Sequence, residues 1–370
     1  MDEIAIALAA CVLVALLCRR YALPPIPFYI ITGLLLGTAG LGLVKESEVS
    51  QWIAHMGLLF LLFTMGLHIH PGEVAKRRGS FVISGLIDLV VNFTAGFAVA
   101  FLIGLPFFDG VVLAGAFYIS SSAIALSSLI DNRKLGFRES DTIIWLMVFE
   151  DIALIALLIL LTAQEVSPLR TIGIIAIAAI LAFSAAKILQ EPLKEFFARE
   201  DELPILVVFL AVLLAIAVSE VTAVPDSLFV IILGSAISFA AAERAEVIAR
   251  PFREVFLVVF FVFFGISVNF AGVPSLVILA AVIALAVITK LISGLMVGKA
   301  IHGRYRSGID IWADTTSRGE FSILLALLYG SPAVVPMVAA MVVITSFIGS
   351  FTGKYSVQMK MLFGRISAGK

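Results

Sequence analysis

The chain contains 370 residues, of which 61% are hydrophobic and 14% charged, and its formal net charge is −1; the mean hydropathy is +1.13. With apolar stretches near twenty residues recurring along it, this composition excludes an ordinary soluble domain and specifies a polytopic helical membrane protein. No basic tail offers a surface to nucleic acid, and in such a protein the position of the charges matters more than their sum.

In chain order, the N-terminus Met1-Asp2-Glu3 is acidic and no small-residue cleavage site follows the first apolar run, so that run reads as a retained span. Cys11 and Cys18 lie on it, separated by a helical rise of about 10 Å, too long for a disulfide between them. Apolar runs between polar breaks predict spans near 3–19, 24–44, 51–69, 79–104, 109–131, 140–163 and 169–190, then 203–221, 226–242, 252–269, 273–298, 308–329 and 332–353. Thirteen spans put the termini on opposite sides. One side collects 21 of the 25 basic residues, among them Arg19, Arg20, Lys76, Arg77, Arg133, Lys134, Lys360 and Lys370, and the other only Lys45 and Arg170. The positive-inside rule then predicts an external N-terminus and a cytoplasmic C-terminus.

The two halves resemble each other. Tyr21-Ala22-Leu23-Pro24-Pro25, followed by Tyr29 to Leu34, is answered by Thr222-Ala223-Val224-Pro225-Asp226, followed by Phe229 to Gly234. Phe60 to Leu67 is answered by Val259 to Ile266 at the same offset of about 200 residues. Spans 1–6 therefore map onto spans 8–13, and because seven spans separate equivalents the second copy runs in the opposite sense. Inverted repeats are a transporter signature, with binding near the midplane at the repeat interface.

Glu150 and Asp151 stand together inside the apolar run Ile143 to Leu158. Each carboxylate near a bilayer centre costs roughly 2.5–3.5 kcal/mol on the mildest insertion scale, which marks the pair as functional. Two interrupted spans point to the same place: Ser120-Ser121-Ser122 in span 5, and Asp314-Thr315-Thr316-Ser317-Arg318-Gly319-Glu320 in span 12. Consecutive hydroxyl residues compete for backbone hydrogen bonds and disfavour continuous helix, while their oxygens and freed carbonyls suit a cation. Bonding back to their own helices is the plainer alternative.

Lys290, deep in span 11, needs a counter-charge, and the candidates by depth are Glu150, Asp151 and Asp88, with Glu150 favoured. Adjacent carboxylates project about 100° apart on a helix, so Asp151 is left to face the cavity and to hold proton or cation in turn. A buried Glu150–Lys290 pair that only fixes helix packing is the competing reading. Arg318 is expected to neutralise Glu320, Asp314 or Asp88. Asp88 and Asn92 share a face of span 4, His68 and His70 end span 3, and Gly33 and Gly37 give a GxxxG spacing that signals close packing.

These residues resemble the monovalent cation:proton antiporter-2 family, which includes sodium/proton antiporters and Kef-type potassium efflux systems. The carriers are Leu23-Pro24-Pro25 with Gly33 to Gly37 and Gly40-Leu41-Gly42; Leu59 to Phe63 with Gly66-Leu67; Ser120-Ser121-Ser122-Ala123; Glu150-Asp151-Ile152-Ala153; Phe263-Phe264-Gly265; and Arg318-Gly319-Glu320-Phe321. The resemblance implies an all-α polytopic membrane protein of 13 transmembrane helices, built as two inverted six-helix repeats with crossed discontinuous helices. It implies panel helices in 1–78 and 203–271, core helices in 79–163 and 272–353, a linker helix in 164–202 and a short cytoplasmic tail at 354–370. It implies a homodimer in a prokaryotic cell membrane whose core moves like an elevator, exchanging sodium, potassium or lithium for protons without a cofactor. Asp151 matches the ion-carrying aspartate and Lys290 the intramembrane base of electrogenic members. Ser121, Ser122, Thr316 and Glu150 are the further candidate ligands, and Lys290, Arg318, Glu320 and Asp88 the charges that structure the core.

Three departures bear on this. The residue before the aspartate is Glu150, where electrogenic sodium exchangers often have Asp and others Gln or Asn. His68 follows Gly66-Leu67 where an acidic residue is common. The chain stops soon after span 13, without the nucleotide-binding domain of many Kef-type members, so regulation falls to a separate soluble subunit or to none. A channel-like, regulated potassium efflux pathway is the alternative within transport, and organic-anion symport a more distant one. No GxGD, HExxH or GxSG motif supports a membrane enzyme.

Overall fold

The computed structural model describes residues 2–21, 23–37, 40–45, 47–68, 78–162, 168–269 and 275–368. The readings made above for His70 and for Lys76, Arg77 and Lys370 lie outside these residues. All regular elements among the described residues are helices, joined by one isolated antiparallel bridge between Ser120 and Arg318. They are α1 (Asp2–Tyr21), α2 (Pro25–Leu36), α3 (Glu48–His68), α4 (Arg78–Leu102), α5 (Phe107–Tyr118), α6 (Ser122–Asp131), α7 (Arg138–Thr162) and α8 (Pro168–Ile188). Then follow α9 (Gln190–Phe197), α10 (Leu203–Thr222), α11 (Asp226–Ser267), α12 (Leu276–His302), α13 (Ser307–Thr315), α14 (Glu320–Tyr329) and α15 (Val334–Ala368).

Among the described residues, eight helices are long and apolar enough to cross a membrane: α1, α3, α4, α7, α8, α10, α12 and α15. Four shorter apolar helices are α2, α5, α6 and α14. The chain is an integral membrane protein. Two boundaries differ from expectation. Residues 226–242 and 252–269, predicted as spans separated by a loop, are two helices joined directly at a kink at Ala241 (φ −152°, ψ 41°) within α11. The connecting segment Ala240-Ala241-Ala242-Glu243-Arg244 is made of good helix formers, so the turn is a local kink and not a loop. The expected tail at 354–370 is helical to Ala368, and Lys360 on it is bonded to Glu139 (2.7 Å) and Asp310.

The chain forms two compact units. The first comprises residues 1–9, 43–76 and 155–263. Within it α3 is buried from Met56 to Leu67, and its Gly66 abuts α11 so closely that a Cβ would collide with the Ile231 carbonyl. Ser235 Oγ donates to the Gly66 carbonyl at 3.0 Å. Phe60 stacks on Phe252 at 5.2 Å between ring centroids. The second unit comprises residues 10–42, 77–154 and 264–370. There Gly265 lies against α2, where a Cβ would collide with the Ile30 carbonyl, and α4, α5, α12, α13, α14 and α15 pack on one another. Residues 10–42, expected with the panel helices, belong to this second unit, and all the charged candidates of the core fall inside it.

Candidate functional site

The second unit is organised around two apolar helices that stop and restart. α5 ends at Tyr118, the chain is extended at Ile119 (φ −74°, ψ 124°) and Ser121 (φ −81°, ψ 105°), and α6 begins at Ser122. α13 ends at Thr315, and Gly319 is extended (φ −135°, ψ −159°) before α14 begins at Glu320. The breaks meet through the Ser120–Arg318 bridge and a Ser121 N–H to Ser317 carbonyl bond of 2.8 Å. Gly319 permits this approach, since a Cβ there would lie 2.6 Å from the Ser121 Cβ.

A break exposes backbone donors at one half-helix and acceptors at the other, with partial charges of opposite sign. Side chains of matching sign occupy these ends. Lys290 Nζ donates to the Tyr118 carbonyl at the end of α5 (3.1 Å), and Arg318 Nη1 donates to the Thr316 carbonyl just past α13 (2.9 Å). Glu150 accepts from the Ser120 N–H (2.5 Å) and hydroxyl (2.8 Å) ahead of α6. Glu320 occupies the first turn of α14.

Lys290 is fully buried and reaches two carboxylates: Asp88 Oδ2 at 2.6 Å and Glu150 Oε1 at 2.8 Å. Asp88, whose role the sequence left open, is held by Ser293 Oγ (2.6 Å) and Asn92 Nδ2 (2.9 Å), both donating to Oδ1. A buried ion pair is tolerated only when its remaining lone pairs and protons are satisfied, and these bonds do that.

Asp151 is different. Glu150 is 1% exposed, whereas Asp151 is partly exposed and has no hydrogen-bond partner among the described residues. Its charged neighbours are Glu150 and Glu320. Ser121 Oγ faces Glu320 Oε2 at 3.5 Å, Ser122 is partly exposed, and Thr316 uses its hydroxyl on the Trp312 carbonyl of its own helix (2.6 Å).

The expected pairing of Arg318 with Glu320, Asp314 or Asp88 takes another form. The guanidinium bonds to carbonyls, Thr316 just past α13 and Ala286 inside α12, at 2.9 Å each, while its Nε has no hydrogen-bond partner among the described residues. Asp314 is claimed by Lys134, whose Nζ lies 2.8 Å from Oδ1 and 3.0 Å from Oδ2. Sequence reasoning counted Lys134 among the surface charges, yet it is 1% exposed and also donates to the Gly353 carbonyl (2.6 Å). Thr345 and Ser346 on α15 were likewise missed: Arg318 N–H donates to Thr345 Oγ1 (3.0 Å) and Ser346 Oγ to the Arg318 carbonyl (3.2 Å). Nothing local in the sequence marks these contacts, which join segments far apart in the chain. Outside this cluster, His68 lies 3.2 Å from Glu246 in the first unit.

Interrupted apolar helices meeting at a charged centre define a secondary transporter and not an enzyme. The chain belongs to the sodium/hydrogen exchanger (transmembrane) family, whose model matches residues 6–357. Its relatives include the K(+)/H(+) antiporter subunit KhtU of Bacillus subtilis, 28% identical over 98% of this chain and 95% of that one. Another is the ammonium/H(+) antiporter subunit AmhT of Alkalihalophilus pseudofirmus, 25% identical over 84% and 81%. The sodium proton antiporter MjNhaP1 of Methanocaldococcus jannaschii has the same fold, with a TM-score of 0.71 over 98% of both chains at 15% identity.

Proposed function

We propose that this protein exchanges a monovalent cation, sodium or potassium, for protons across a prokaryotic cell membrane, with Asp151 as the shared ion site. The observation that carries this is the contrast within one carboxylate pair: Glu150 is locked into the first break, while its neighbour Asp151 has no hydrogen-bond partner among the described residues. A carboxylate without a fixed partner beside two broken helices binds either a cation or a proton, and competition for it couples the two fluxes. The names of the relatives KhtU, AmhT and MjNhaP1 agree with cation/proton exchange.

The finer architecture follows the same reading. Two spans on either side of the Ala241 kink, together with α5–α6 and α13–α14 as interrupted spans, bring the count to thirteen, with the N-terminus outside and the C-terminus in the cytoplasm. The inverted repeat is supported by reciprocal packing: Gly66 lies on the Ile231 carbonyl and its equivalent Gly265 on the Ile30 carbonyl. The protein works as a homodimer in which the core carrying both breaks moves against the panel helices as an elevator. Both KhtU and AmhT are named subunits, which supports a separate cytoplasmic regulatory partner for this chain.

The test is proton movement in liposomes containing the purified protein, followed by fluorescence dequenching on adding sodium, potassium or lithium. Asp151→Asn abolishes the signal with the protein still monodisperse, and Glu150→Gln lowers stability more than cation affinity. Normal exchange by the Asp151 variant would sink the assignment, and equal loss of binding in both would make Glu150 itself a ligand.

A further inference from the structure

We infer that the end of α12 and the turn after it hold an anionic phospholipid, with its headgroup on Lys299, Arg304 and Arg306 and one acyl chain along α12. The inference goes beyond the exchange reading and does not depend on it. α12 has two unlike faces. Thr289, Ser293, Val297 and Gly298 are buried, whereas Ile288, Ile292 and Met296, four residues apart, form an exposed apolar row. The row ends at Lys299, which is also exposed. From Ile288 to Lys299 the helix rises about 16 Å, close to the ~15 Å of hydrocarbon in one leaflet.

The turn folds back over this end of the helix. Gly303, in the left-handed region (φ 71°), closes α12 with its N–H on the Lys299 carbonyl (3.1 Å), and the Arg304 N–H returns to the Gly298 carbonyl (3.3 Å). Lys299 Nζ donates to the Gly303 carbonyl (3.3 Å) and lies 5.5 Å from the centre of the Tyr305 ring. Arg304, Tyr305 and Arg306 are all exposed. The turn is a firm platform, because α12 and α13 pack so closely that a Cβ on Gly298 would lie 2.2 Å from the Gly308 nitrogen. Glu139 and Asp310 at this end are both bonded to Lys360, which draws their charge away from the turn. Three cations and one amphipathic ring thus stand where an apolar row ends. Arginine pairs with phosphate through parallel N–H bonds, tyrosine favours the interface, and basic clusters beside membrane helices recognise anionic headgroups. An acidic soluble protein would match the cations alone, whereas a phospholipid matches the cations and the apolar row together. On the orientation proposed above, the lipid belongs to the cytoplasmic leaflet.

The experiment places the purified protein in phosphatidylcholine vesicles with a trace of phosphatidylglycerol or phosphatidylcholine bearing a photoactivatable diazirine on one acyl chain. Labelled peptides are mapped by mass spectrometry. Phosphatidylglycerol is expected to label residues 288–296 well above phosphatidylcholine. Each basic residue near the surface strengthens the attraction about fivefold, so Arg304→Gln/Arg306→Gln is expected to cut that labelling about 25-fold and to leave labelling by phosphatidylcholine unchanged. Arg304→Lys/Arg306→Lys keeps the charge and retains most of the labelling. Excess unlabelled phosphatidylglycerol displaces the probe, and inorganic phosphate or polyglutamate does not. Equal labelling by the two lipids overturns the inference, and so does wild-type labelling of the glutamine variant. Displacement by phosphate would make this a simple anion site and displacement by polyglutamate a protein-docking surface, and either result also overturns it. Should the double variant lose monodispersity, Arg304→Gln and Arg306→Gln singly, each expected at about one-fifth of wild-type labelling, decide the matter. Whether the protein exchanges cations for protons has no bearing on these outcomes.

Discussion

Lys134→Met removes the ammonium that joins the turn after α6 to α13 and α15 while keeping most of the side chain's volume. In the folded protein Lys134 is 1% exposed and donates to both oxygens of Asp314 and to the Gly353 carbonyl. Without it Asp314 keeps only the 2.6 Å bond from Ser128 Oγ, a buried anion with no cation. Breaking such a pair by deleting one partner costs about 3–5 kcal/mol. At roughly 2.1 cal/mol/K per residue, cooperative unfolding of the 370 residues converts this to a fall in Tm of about 4–6 °C. The assay is thermal unfolding in detergent followed by size-exclusion fluorescence. The double variant Lys134→Met/Asp314→Asn, which removes both charges, recovers at least half of the loss. A single variant within about 1 °C of wild type, or a double variant no more stable than the single one, would refute the view that this pair holds the second broken helix in place.

Two further outcomes are expected. Thr345→Val, nearly isosteric, leaves the buried Arg318 N–H without its acceptor and lowers stability by about 1–3 kcal/mol, whereas Thr345→Ser is close to neutral; equal stability of the two variants would contradict this. Gly234→Ala drives a Cβ into the Phe63 carbonyl at the α3–α11 crossing and lowers stability by about 1–3 kcal/mol through overpacking, a result the same thermal assay tests against unchanged Gly79→Ala, where the space is open.

Much of this protein is legible in its sequence because a bilayer imposes strong local rules. Apolar length marks a span whatever surrounds it, which is why the eight long apolar helices lie close to predicted runs. The two interruptions were legible for the same reason: Ser120 to Ser122 and Asp314 to Glu320 disfavour helix by their own composition. Glu150, Asp151 and Lys290 announced themselves as charges in apolar context.

What the sequence could not decide is which partner each buried charge takes. Asp88, Glu150, Arg318 and Asp314 all lie in apolar helices or their breaks, and position along a helix says nothing of azimuth or of which neighbour packs alongside. Only the packed helices put Asp88 with Glu150 on one lysine, gave Asp314 to Lys134 and turned Arg318 to carbonyls. Local composition determines where a membrane chain is helical, buried or broken, since the solvent acts on each segment separately. Pairing among charges is settled by contacts between segments up to about 200 residues apart, and those exist only once the helices have packed.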